Sequence, residues 1–147
     1  MTVSENDRNF ASDLQRATSV AVVLLCITCS SAAQEKIVSF KKQIQPILNV
    51  NCVYCHITGA MQGGLTLEPG LSYKSLVSVK STQSVAMSLV EPGKPNESYI
   101  FHKIMGTHVK AGGTGASMPF SAEVPIKLEA KDLQLIERWI AGGAHNN

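Results

Sequence analysis

The chain has 147 residues, enough for one domain preceded by a leader, and its 13 Lys and Arg nearly balance 11 Asp and Glu. The absence of a basic stripe or arginine cluster excludes a nucleic-acid surface, and near-neutrality excludes strong electrostatic steering of partners. Aromatic residues are only 5% of the chain, so a core of protein alone is short of large fillers that a buried prosthetic group would supply.

In chain order, Val20 to Ile27 is a short, wholly apolar run that follows Arg8 and Arg16 and precedes the small residues Ser31, Ala32 and Ala33. It is shorter than the ~20 residues a bilayer crossing needs. The pattern predicts a secretory signal peptide over residues 1–33 and an exported, periplasmic domain over 34–147 with no membrane span of its own. Glu5, Asp7 and Asp13 make this leader less positive than usual. An uncleaved anchor or a buried strand is the alternative. Cys29 follows a poor lipobox, which argues against a lipoprotein.

Ser39 to Asn51 is the first predicted helix. Phe40, Ile44, Ile47 and Leu48 fall on one apolar face, while Lys41, Lys42 and Gln45 lie off it. Pro46 removes a backbone donor and predicts a kink. The helix runs into Cys52-Val53-Tyr54-Cys55-His56, a Cys-x-x-Cys-His run. That spacing is the attachment signature of a c-type haem. Two thiols three residues apart reach the two vinyl groups on one haem edge, and His56 then lies beneath the iron as proximal ligand. Cys26 and Cys29 form a second Cys-x-x-Cys pair. On spacing alone the four thiols suit zinc, but the first pair sits in the leader. A redox dithiol is the other competing reading, and no alternation of strands and helices surrounds the motif to support it.

Residues 59–70 read as loop, with Gly63-Gly64 and Pro69-Gly70 as breakers. Ser72 is expected to cap a short helix through Val79. Glu91 to Pro95 is a turn, and Asn96 is the expected cap of a helix running to Met105, with Gly106 as its stop. A Gly-rich loop from Ala111 to Ser117 then leads to Met118 and Pro119. The last helix, Ala130 to Ala141, carries Leu133, Ile136, Trp139 and Ile140 at helical spacing, stops at Gly142-Gly143, and has Glu129 and Asp132 at its positive end. Trp139 is expected to dock it against the first helix. No strand-rich stretch is visible.

The iron's opposite face has several candidate ligands. Met61 follows His56 too closely to reach it, Met87 and Met105 read as packing residues, and His145 lies in the tail. His102 and His108 read as surface or capping residues. Met118, presented by the glycine loop and locked by Pro119, is the preferred distal ligand. Sulfur favours Fe(II), so a His/Met pair raises the reduction potential and leaves no vacant position for a gas or peroxide.

Ile44-Gln-Pro-Ile-Leu, Asn51-Cys-Val-Tyr-Cys-His, Gly63-Gly-Leu-Thr-Leu, Glu91-Pro-Gly-Lys-Pro, Ser98-Tyr-Ile, Met118-Pro and Trp139-Ile-Ala-Gly-Gly-Ala follow one another in order. Together they resemble class I c-type cytochromes, and within them the planctomycete-type cytochrome c domain. Phe120 stands where that family commonly has a second proline. The resemblance implies an all-α fold: a compact bundle of four or five short helices around one haem, with the N- and C-terminal helices packed together. It also implies that Cys52 and Cys55 hold one covalent haem c, with His56 and Met118 on the iron.

The expected function is single-electron transfer between redox partner proteins, either as a periplasmic carrier or as the haem subunit of a larger oxidoreductase, and not catalysis. The alternative is a haem enzyme or gas-binding sensor with an open or labile distal site. No Ser/His/Asp set, paired-carboxylate site or phosphate loop is present.

Overall fold

The computed structural model describes residues 37–124 and 126–147. The predicted signal peptide and the thiols Cys26 and Cys29 lie outside the described residues. Among those residues, no helix is long and apolar enough to cross a membrane.

The chain enters through a π-helical turn, Phe40–Ile44, which passes directly into α1, Gln45–Asn51. Pro46 sits in the first turn of α1, where the donor it lacks is not needed. The predicted kink therefore takes the form of a change of helical pitch: the Gln45 amide reaches back to the Phe40 carbonyl, five residues away. The N-terminal end is tied to the far end of the chain, because Phe40 and Lys41 donate their amides to Asn147 at 2.8 and 3.0 Å.

After α1 come a two-stranded antiparallel hairpin, β1 (His56–Ile57) with β2 (Ala60–Met61), and a 3-10 turn, Gln62–Gly64. Next are α2 (Ser72–Leu76), a 3-10 turn over Pro95–Glu97, α3 (Tyr99–Met105) and α4 (Ala130–Ala141). Between α2 and α3 the chain folds back on itself through single bridges: Val77 with Val90, Lys80 with Ser88, and Ser88 with Ser98.

The expected all-α bundle of four or five short helices is therefore corrected. Well under half of the described residues are helical, only α1, α3 and α4 reach seven residues, and a hairpin is present. The physical reason lies in residues 57–98. There Gly and Pro break residues 59–70 and 92–95, and the stretch between them, 71–91, is rich in Ser and Val, which favour turns and extended backbone over helix. Turns and bridges satisfy the backbone instead.

The core is shared by the entry helix, α3 and α4. The Phe40 ring packs against Trp139 at 5.1 Å between centroids and edge-on to Tyr73 at 5.3 Å. The Trp139 indole N–H donates to the His145 carbonyl at 3.0 Å. Ile44, Leu48, Leu76, Val90 and Ile140 are almost completely enclosed.

Gln45, placed off the apolar face by its polarity, is also buried. Its amide donates to the Leu67 carbonyl at 3.0 Å and to Asn49 Oδ1 at 2.8 Å, and its oxygen accepts from the Ser72 hydroxyl. Ser72 is thus spent on Gln45 and does not cap α2. Ser98, rather than Asn96, occupies the cap position of α3. Glu129 occupies that of α4, with its carboxylate turned to Lys131 at 2.7 Å.

Candidate functional site

The end of α1 builds the thiol-bearing turn. The Leu48 carbonyl accepts from both Cys52 and Val53, at 2.9 and 3.0 Å, and this doubled bond closes the helix. The Cys52 carbonyl then accepts from the amides of Cys55 and His56, at 3.2 and 3.1 Å. One tight turn therefore carries Cys52, Cys55 and His56. Beyond it the chain becomes extended, and the His56 carbonyl accepts the Leu67 amide at 2.7 Å. In backbone register His56 faces Met61 across the hairpin.

The three side chains have different surroundings. Cys52 is half-buried against the hydrophobic core, Cys55 is exposed, and both thiols are free. Tyr54, between them, is 93% exposed. Burial, and secondarily the nearby Cys55 charge, push the Cys52 thiol up to about 11. It is therefore protonated at neutral pH. A dithiol built for disulfide exchange has the opposite bias, a thiolate favoured by its surroundings. The three side chains do not make a metal cage of their own: among the described residues no group of three or more His, Cys, Asp or Glu is placed to hold an ion.

His56 is half-buried, and its Nδ1 is enclosed without a hydrogen-bond partner. Such orphaned nitrogens are uncommon in folded proteins. This imidazole is not committed to a protein group through that atom, and it adjoins two unoxidised thiols on the same turn. The donor set fits a haem held by two thioethers and one imidazole.

The candidates for the opposite face separate clearly. His102 has both ring nitrogens engaged, Nδ1 with Thr107 Oγ1 at 2.8 Å and Nε2 with the Asn96 carbonyl at 2.9 Å. His108 is not on the surface: it is buried, with Nε2 on the Gly115 carbonyl at 2.7 Å. Met105, expected to pack, is 46% exposed. Met87 is half-buried beside the fully exposed Val85, and His145 is exposed. Met118 is half-buried and packs against the same core that Cys52 touches, with its amide on the Lys103 carbonyl at 2.9 Å. The thiols and His56 thus share one turn, and Met118 is carried by a separate segment.

That segment is gripped rather than loose. Gly113 lies on the Tyr99 ring so closely that a Cβ there would come within 2.3 Å of it. The Tyr99 hydroxyl donates to the Thr114 carbonyl at 2.7 Å, and Lys103 Nζ reaches the same carbonyl at 3.3 Å. Gly115 has a φ of +79° and sits against Gln83 and Lys103. Burial holds the Lys103 ammonium below the ordinary lysine range and pushes the Tyr99 phenol above its own. Sequence reasoning missed these residues. The available signal was the pairing of Tyr99 with Lys103 four residues later, on one face of a short helix.

Compared with protein-family models, curated proteins and solved structures, the chain matches none.

Proposed function

We propose that this protein carries one haem c, bound through thioethers to Cys52 and Cys55, and transfers single electrons between redox partner proteins outside the cytoplasm. His56 is the proximal ligand in this reading and Met118 the distal one. The observation that carries it is the turn from Cys52 to His56. It presents two reduced thiols three residues apart, followed at once by an imidazole with an uncommitted buried nitrogen.

A bound haem supplies a one-electron iron couple. The residues of the chain do the rest. Cys52 and Cys55 would hold the group as thioethers, and their thiol protons would then no longer titrate. Cys55 and Tyr54 lie at the surface, which sets the attachment edge where a partner can approach. Cys52 ties that edge to the core. His56, held by the bonds its own backbone makes to Cys52 and Leu67, would ligate the iron. Met118 would supply a thioether to the iron, a donor that favours the reduced state. The same chemistry serves a diffusing carrier or the haem subunit of a larger oxidoreductase.

The test is expression in a host with c-type maturation machinery. Haem stain should remain on the chain after denaturation. The oxidised protein should show the weak far-red sulfur-to-iron band, and the reduced protein should resist carbon monoxide. A stained chain that lacks the band and binds carbon monoxide readily would turn the reading toward a gas-binding or catalytic haem protein.

A further inference from the structure

We propose that His108 is a positioning residue for Met118, acting through the Gly115 carbonyl. The inference rests on the reading of Met118 as an iron ligand. A carbonyl oxygen only accepts, so the 2.7 Å contact requires that His108 Nε2 carry a proton and donate. His108 is then fixed in one tautomer, and its Nδ1 is left buried with no partner. An apolar residue would fill this 4% exposed position without stranding a polar nitrogen. What the imidazole adds is the bond to Gly115.

That bond has a direct consequence downstream. The next fixed point is the Met118 amide on the Lys103 carbonyl. Only Ala116 and Ser117, both exposed, lie between the two anchors. The height of Gly115 above α3 therefore sets how the chain enters Met118 and where its thioether can reach. Tyr99 holds the preceding residue, Thr114, through its hydroxyl, so the strap is fixed at two consecutive residues and released only at the exposed pair. His108 makes no contribution to the thiol turn, which is closed by its own backbone bonds.

The experiment compares His108→Leu, which keeps bulk but has no donor, with His108→Gln, which restores an N–H, both matured with covalent haem. For His108→Leu the expected result is haem stain equal to wild type, loss of the sulfur-to-iron band, new carbon monoxide binding by the reduced protein, and a lower reduction potential. His108→Gln should recover the band at least in part. A His108→Leu protein with band and carbon monoxide resistance intact would overturn the proposal, as would a His108→Gln protein indistinguishable from it. Should His108→Leu fail to accumulate, His108→Phe, a ring without a donor, takes its place. It should weaken the band, and an unchanged band would overturn the proposal. Wild-type protein without covalent haem would instead refute the function proposed above, and stained wild-type protein without the band would refute Met118 and its positioning alone.

Discussion

The two parts of the candidate site are held in opposite ways. The turn from Cys52 to His56 is closed by its own backbone: Leu48 and Cys52 carbonyls each accept two amides, all within nine residues. The strap that ends at Met118 has local backbone bonds only at its start, where Ala111, Gly112 and Gly113 donate to Thr107, Val109 and His108. It is fixed by Tyr99 and Lys103 from α3, by Gln83 from the bridged segment and by His108 from the turn after α3. Chemistry that needs three groups at invariant spacing is placed on a local turn. Met118, the distal ligand of the proposed reading, is placed largely by contacts from other segments, where its position can be tuned independently.

Replacing both Cys52 and Cys55 with Ala attacks the local part, and it should have the largest effect. Haem stain should vanish from the denatured chain, while far-ultraviolet circular dichroism still reports folded protein. Leu48→Ala strikes the core beneath that turn. Leu48 is 2% exposed, and truncation should cost about 2–5 kcal/mol in a denaturant titration. Gly113→Ala attacks the strap instead: its new methyl collides with the Tyr99 ring. A loss of about 1–3 kcal/mol is expected, together with a weakened sulfur-to-iron band and undiminished haem stain. Equal damage to stain and band in that variant would break the proposed independence of the two parts.

The smallest effect concerns the hairpin tip. Glu68 accepts from the Thr58 hydroxyl and amide and from Thr66, and these bonds hold its carboxyl below the usual range. A depressed carboxylate stabilises the fold above its unfolded pKa, and that contribution is lost as pH falls through the folded value. The protection of the Thr58 amide, the slowing of its exchange relative to an unstructured chain at the same pH, should therefore fall on acidification below about pH 4 to 5. Glu68→Gln should remove this pH dependence, and an unaltered acid response would assign it to another group.

The same contrast explains what could be read from the sequence. The helical segments around Phe40–Asn51 and Ala130–Ala141 were legible because their apolar residues recur at helical spacing, and the thiol turn because its residues are contiguous. The all-α expectation failed where short-range signals run out. Val77, Lys80 and Ser88 bridge to residues that no periodicity names. Gln45 read as solvent-facing because its partners, Leu67 and Ser72, are more than twenty residues away. The glycines of the strap read as flexibility, whereas Gly113 provides close approach to Tyr99 and Gly115 a left-handed backbone. His108 read as a surface residue because nothing adjacent in sequence announces the carbonyl it meets.

The mass of the intact chain after denaturation, matured with c-type machinery, tests the central claim most directly. A chain heavier by one haem, with neither Cys52 nor Cys55 reacting as a thiol, is the predicted result. An unmodified chain with both sulfurs still titrating would contradict it.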